Sequence, residues 1–241
     1  MVVYKNISTF IKEYKNEVVM FCVANNGINE MTLNLVKSCT RNNEEIIVFA
    51  LDKEVSKYFE KHCPVVEYFA EMGGNGKYNY GSDEFRIIAW HRYFIINELL
   101  KNEKKIIYLD TDIVINKKFS ENVLNELKNC ECAIQTNGKN CCTGFFAMKP
   151  TKNTKNYFIM DNLKKNNYLS FLTDQDYFNV EIYDKKKFDI KLLDITKYPN
   201  GKYFYDNTNK IKDSCYLIHF NNVVGYKPKV DKMKKYDKWA I

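Results

Sequence analysis

Short apolar runs rich in β-formers alternate with helical patterns along most of this chain. Candidate strands lie at residues 18–24, 45–51, 105–109, 133–136, 144–149 and 215–220. Candidate helices lie at 4–14, 29–38, 53–61, 84–100, 120–128, 154–165 and 174–180. A strand–helix–strand succession returns the chain so that the next strand runs parallel to the last. The fold expected is therefore α/β, a mostly parallel central sheet with helices on both faces. With 241 residues, 4 Pro and 9 Gly, the chain suits one core and shows no Pro/Gly-rich linker. One domain over residues 1–241 is expected. Ligands of such sheets gather at the carboxyl ends of the strands.

One strand ends in chemistry. Lys105-Ile106-Ile107-Tyr108-Leu109 drives into Asp110-Thr111-Asp112, and Ile113-Val114-Ile115 follows. Carboxylates inside an apolar run are costly unless compensated. If the backbone stays extended, residues two apart point the same way, so Asp110 and Asp112 converge at the strand end. Two such carboxylates repel unless a cation joins them, and oxygen ligands suit magnesium, manganese or calcium. The plain alternative is a strand end capped by aspartates that solvate their own turn. In the helix at 84–100, Phe85, Ile88, Ala89, Ile96 and Leu99 share one stripe at about 100° per residue, with Arg92 in its middle. A guanidinium there needs a carboxylate or phosphate partner. The run 215–220 places His219 at a strand end, with Gly225 and Lys227 in a following loop. His ligates manganese, and Lys is a point charge for phosphate. Thr173-Asp174-Gln175 reads first as a helix cap, although Asp174 and Gln175 also suit a sugar.

Composition bounds the partners. The net charge is +7, which suits anionic partners. The lysines form no dense tract, no nucleic-acid motif accompanies them, and no nucleic-acid partner is expected. No run reaches the ~20 apolar residues of a membrane span, and no signal peptide is visible, so a soluble, cytoplasmic chain is expected. The 8 Cys are then expected to be reduced. Cys130, Cys132, Cys141 and Cys142 lack the paired spacing of a zinc site. The Gly-rich stretch 72–81 reads as a turn-rich surface loop.

Two enzyme classes use a D-x-D. Asp110-Thr111-Asp112-Ile113-Val114 fits the D-x-D-x-[TV] string of haloacid-dehalogenase-like phosphatases. That class places its pair on the first core strand, however, and needs a later acidic pair, which is not found here. A non-catalytic sugar-binding module is the other alternative. The ordered set Trp90-His91-Arg92, Tyr108-Leu109-Asp110-Thr111-Asp112, Thr143-Gly144-Phe145-Phe146, Asp174 to Asn179, Tyr198-Pro199-Asn200-Gly201 and His219 to Lys227 resembles the GT-A class of nucleotide-sugar transferases. It is most similar to the nucleotide-diphospho-sugar transferases of glycosyltransferase family 77, and more distantly to the glycogenin-like family 8. The resemblance spans Val18 to about Lys229. It implies a Rossmann-type GT-A fold and transfer of a sugar from a nucleoside diphosphate donor, UDP by first choice, to a hydroxyl of a glycan or other acceptor. It further implies a metal, manganese or magnesium, on Asp110, Asp112 and His219. Val23, Ala24 and Asn26 would line the nucleotide, with Thr111 beside the donor. Arg92 and Lys227 would balance the diphosphate, and Asp174 and Gln175 would face the sugar and the incoming hydroxyl. Many relatives carry Asn where this chain has Cys142.

Overall fold

The computed structural model describes residues 1–69, 82–158, 160–165 and 170–241. The stretch 72–81 and the side chain of Phe85 lie outside the described residues. The chain begins β1 (Val3–Tyr4), α1 (Ile7–Glu13), β2 (Val18–Ala24), α2 (Asn29–Arg41), β3 (Ile47–Ala50), α3 (Lys53–Phe59) and β4 (Val65–Glu67). It continues α4 (Asp83–Lys101), β5 (Lys105–Leu109), β6 (Ile113–Ile115), α5 (Ser120–Glu126), β7 (Cys132–Thr136) and β8 (Cys141–Met148). Then come α6 (Lys152–Tyr157), α7 (Met160–Lys165), α8 (Asp174–Tyr177), β9 (Ile190–Leu192), α9 (Gly201–Ile211), β10 (Leu217–His219) and α10 (Tyr226–Lys235).

Among the described residues, eight strands form one sheet in the order β1-β4-β3-β2-β5-β8-β7-β9. The pairs from β1 through β5 are parallel. Strand β8 runs antiparallel to both β5 and β7, and β9 returns parallel to β7. The mostly parallel sheet read from the sequence is therefore present. Side-chain alternation sorts each central strand between two cores. Met20, Cys22 and Ala24 join Val48, Ala50, Ile107 and Leu109 on the face covered by α2, α3 and α5. Val19, Phe21 and Val23 join Ile47, Phe49, Ile106 and Tyr108 on the face covered by α1, α4, α6 and α8. Both faces are buried, so the strands read as continuous apolar runs. Helix α4 is buried well beyond the expected stripe, since Trp90, Tyr93, Ile95 and Leu100 are inside along with Ile96 and Leu99. A third core of Met31, Val114, Phe204, Ile218, Phe220 and Met233 joins the short antiparallel pair β6–β10 to α9 and α10.

Several expectations need correction. The chain does not stay extended through Asp110 and Asp112. A turn intervenes, with the Ile113 amide donating to Asp110 O at 3.2 Å, and β6 pairs with β10 instead of prolonging β5. The helix expected at 154–165 is divided between α6 and α7. The helix expected from 174 shortens to α8 and continues as a π-helical turn, Phe178–Tyr183. The loop expected around Lys227 is instead the first turn of α10, where Pro228 is tolerated because the early N–H groups of a helix lack partners anyway. All eight cysteines are buried and free.

The α8 segment docks on β8 through an amide clamp. Asn179 Oδ1 accepts from the Cys141 amide at 2.9 Å, and Asn179 Nδ2 donates to Cys141 O at 3.0 Å. Asn179→Leu strands both backbone groups. The expected loss is about 1–3 kcal/mol of stability, read by urea denaturation. A loss under about 0.5 kcal/mol would mark the clamp as dispensable.

Candidate functional site

Parallel pairing of β2 with β5, from Val18↔Lys105 to Phe21↔Tyr108, brings the end of β2 and the Asp110–Asp112 turn to the same edge of the sheet. Here ligand atoms of Asp110, Asp112 and His219 lie within 4.8 Å of one another. His219 Nε2 is 3.1 Å from Asp112 Oδ1 and 3.8 Å from Asp110 Oδ2. It arrives by the pairing of β10 with β6, in which His219 faces Ile113, and Phe220 N donates to Asp112 O at 2.9 Å. The D-x-D turn and the histidine are thus joined by backbone as well as by charge.

Strand β8 makes room for them. Its register against β7 jumps from Ile134↔Phe146 to Gln135↔Cys142. Such a bulge re-aims the strand. Gly144 sits within it, and Gly144 O accepts from the Asp110 amide at 2.7 Å. A Cβ at Gly144 would lie 2.2 Å from His219 Cε1 and 2.6 Å from Asp110 Oδ2. Only glycine lets the bulge pass this close.

Charge is balanced from several elements. Arg92 of α4 is buried; its Nη1 donates to Asp110 Oδ1 at 3.1 Å and to Thr143 O at 3.2 Å. Its Nη2 donates to Thr143 Oγ1 at 2.8 Å and ion-pairs with Asp174. The guanidinium also lies over the Tyr108 ring, 5.0 Å from its centroid. Tyr108 Oη donates to Asp110 Oδ1 at 2.8 Å. Lys229 Nζ donates to Asp112 Oδ2 at 2.6 Å.

These contacts set protonation. Burial works against charge on Asp112, but Lys229 and His219 outweigh it and hold the carboxyl well below its usual range. Burial likewise opposes charge on His219, and Asp112 overcomes it, raising the imidazole to about 10. Lys229 is raised in the same way: burial disfavours the ammonium, and Asp112 more than offsets it. Burial drives the Tyr108 phenol well up, with Asp110 adding to the effect.

Of the residues singled out in the sequence, Asp110, Asp112, His219, Arg92 and Asp174 meet in one network. Gln175 adjoins it, its Oε1 accepting from the Thr143 amide at 3.2 Å. Thr173, not Asp174, caps α8, by accepting from Asp176 N. Thr111 is half-buried on the turn. Val23 and Ala24 are buried in β2, and Asn26 follows them, its amide donating to Asp52 Oδ2 at 2.7 Å. Lys227 is exposed on α10, and the lysine that reaches the carboxylates is Lys229. Sequence reasoning passed over Lys229, and it gave Thr143 and Gly144 a motif but no role. The lysine had a usable signal: Gly225 followed by Pro228 marks a helix start, and a helix turns Lys227 and Lys229 to different sides.

The family model described as nucleotide-diphospho-sugar transferase matches residues 41–233. A UDP-galactose:fucoside alpha-3-galactosyltransferase of Dictyostelium discoideum is 22% identical over 295 aligned residues, spanning 96% of this chain and 44% of that protein. This chain therefore covers less than half the length of that relative. The glycosyltransferase GlyE of Streptococcus pneumoniae TIGR4 shares the fold with a TM-score of 0.57 at 16% identity, over 90% of this chain and 60% of GlyE. The galactosyltransferase LgtC, solved with donor and acceptor sugar analogs, shares it with a TM-score of 0.58 at 11% identity, over 91% of this chain and 94% of LgtC. Among the described residues, no helix is long and apolar enough to cross a membrane.

Gly144→Ala tests the close approach directly. The new methyl must displace His219 or Asp110. Affinity for Mn2+, read by titration of the ion alone, is expected to fall at least about tenfold, as when a ligand's support is lost. Unchanged affinity in a folded variant would show that the bulge is not needed to shape the cluster.

Proposed function

The chain belongs to the nucleotide-diphospho-sugar transferase family, and from that membership we propose that it transfers a sugar from a nucleoside diphosphate donor to an acceptor hydroxyl. UDP is the nucleotide we assign, a glycan the acceptor, and residues 1–241 the catalytic domain. A divalent cation, manganese or magnesium, would be held by Asp110, Asp112 and His219. The observation that carries this reading is the convergence of two carboxylates and an imidazole at the carboxyl edge of the sheet, in space that Gly144 keeps clear. The donor set fits the ion: carboxylate oxygens suit a hard cation, and imidazole suits manganese. When bound, the cation would supply electrostatic relief for the leaving diphosphate, the largest electrostatic need of the transfer.

The chain's own residues would do the rest. Lys229, already beside Asp112, would meet diphosphate oxygens as a point charge, and Lys227, exposed on another side of the same helix, would add to the positive field that draws the anionic donor in. The end of β2, from Val23 to Asn26, would lie against the nucleotide, with Thr111 on the adjacent turn. Arg92 holds Asp110 and Asp174 in fixed relation, so one guanidinium would tie the ligand turn to the sugar side. Asp174 and Gln175 would border the donor sugar beside Thr143, and the charge of Asp174 would favour the positive character that develops on the sugar carbon.

Release of UDP from UDP-sugars, with and without Mn2+, is the deciding measurement. Manganese-dependent release is expected from the intact chain and is expected to be lost in folded Asp112→Ala. It also separates a catalyst from a sugar-binding module, which would bind donor without turning it over. Full activity without any divalent cation would sink the metal assignment.

For Asp174→Asn, kcat is expected to fall by about tenfold or more, equivalent to about 1.4 kcal/mol or more of transition-state stabilisation. Asn keeps the size of the side chain, and Arg92 keeps Asp110 and Thr143 as partners. A kcat within about twofold of the unaltered chain would leave Asp174 a structural partner of Arg92 only.

A further inference from the structure

We infer that Gln135 is a positioning residue for the cation site, locking the His219 ring with its Nδ1 protonated and its Nε2 turned to the cation. This rests on the metal reading given above. Gln135 is fully buried on β7. Its Nε2 lies 3.0 Å from Tyr198 O and 3.0 Å from Pro199 O. Two backbone carbonyls can only accept, so the end of the amide facing them is the NH2 group. The orientation of Gln135 is thereby settled by backbone, and Oε1 must be the atom that faces His219.

Oε1 stands 2.7 Å from His219 Nδ1. An amide oxygen can only accept, so Nδ1 must carry a proton. The other ring nitrogen, Nε2, is then the one that can release its proton and present a lone pair to an arriving cation, and it is the one facing Asp110 and Asp112. A flipped ring would set carbon against Oε1 and lose the hydrogen bond inside a buried pocket. The Cys142 thiol, 3.6 Å from Nδ1, lies on the same side and leaves the Nε2 face open. Asn200, the cap of α9, adds stiffness nearby by donating to Thr136 O at 2.9 Å. The loop 198–200 is thus tied to β7 at consecutive residues, and the histidine is oriented through that tie.

Such support is worth about 10–100-fold in metal affinity. The test uses Mn2+ alone, with free ion followed by electron paramagnetic resonance, in the intact chain and in Asp112→Asn, His219→Ala, Gln135→Met and the Gln135→Met/His219→Ala double variant. Gln135→Met is expected to lose about 10–100-fold in affinity, and to cost less than about twofold more in the His219→Ala background, since a residue that acts through His219 has nothing left to orient. Affinity within about twofold of the unaltered chain, or an equal loss in both backgrounds, overturns the inference and leaves Gln135 a packing residue. Nitrogen-15 NMR of the Mg2+-saturated, unaltered chain needs no variant. A one-bond proton coupling at Nδ1 and none at Nε2 is expected for His219, and the reverse pattern overturns the inference. If the intact chain binds no Mn2+, or Asp112→Asn binds it equally well, the metal reading itself falls and takes this inference with it.

Discussion

Two aspartates at the end of an apolar strand are the constraint around which this molecule is arranged. Asp112 is buried, its side chain 6% exposed, and a carboxylate in that setting is costly unless other groups neutralise it. No single neighbour does so. Lys229 from α10 and His219 from β10 both pair with Asp112, and Arg92 from α4 pairs with the neighbouring Asp110. Helix α4 packs in the core of Val19 and Phe21, whereas α10 and β10 share the core of Phe204 and Phe220, so these two cores are linked through the charges. Removing one partner from such a cluster leaves a buried charge exposed to its neighbours' fields without relief, which is why buried pairs are more costly to break than they are valuable to possess.

The antiparallel strand β8 is what gives this charge cluster its room. In a purely parallel sheet the strand beside β5 would leave its own carboxyl end beside Asp110. Here β8 runs the other way, so its early residues, Cys142 to Gly144, lie beside the aspartates and its later residues fill the cores. The bulge between Cys142 and Phe146 frees Thr143 and Gly144 from the ladder with β7. Thr143 then serves Arg92 through its side chain and carbonyl, and Gln175 through its amide. Gly144 gives the space in which carboxylates and imidazole meet. A departure from regular pairing thus gives the site both its hydrogen bonds and its room.

Most of the scaffold was legible because burial on both faces writes itself as uninterrupted apolar runs, as in Val18–Ala24 and Lys105–Leu109, whose bounds the structure reproduces. Strands β1, β4 and β9 were not, because two or three residues carry no periodicity. In the site, Asp110, Asp112 and His219 stood out as polar groups at the ends of apolar runs. The geometry that joins them did not, since the turn after Asp110 and the β6–β10 pair depend on contacts over about a hundred residues of sequence. Arg92 was visible as a charge on an apolar face, yet its partner Thr143 was not, because the bulge that exposes Thr143 has no local signature. Gln135 was invisible for a related reason: a glutamine on a buried strand declares itself only when the carbonyls of Tyr198 and Pro199 are in place.

The placement of Lys229 depends on a part of the chain far from the aspartates. Helix α10 begins at Gly225, whose φ of 94° lies in the left-handed region favoured by glycine, and Tyr226 Oη donates to Glu30 Oε2 at 2.8 Å, tying this start to α2. Its other end is held by the residues that follow. Buried Asn34 of α2 donates to Lys238 O at 3.0 Å and accepts from Ala240 N at 2.7 Å, and Tyr236 packs among Phe204, Tyr205 and Phe220. With both ends fastened to α2 and α9, the helix has little freedom to slide, and the turn carrying Lys229 must lie over Asp112. The ammonium is therefore delivered by backbone docking, with its attraction to the carboxylate acting only over the last few ångströms. A flexible lysine on a free loop would have to lose its rotamer and backbone entropy to reach the same point. On α10 most of that ordering is already met by apolar contact, and the charge pair has only the side chain left to fix.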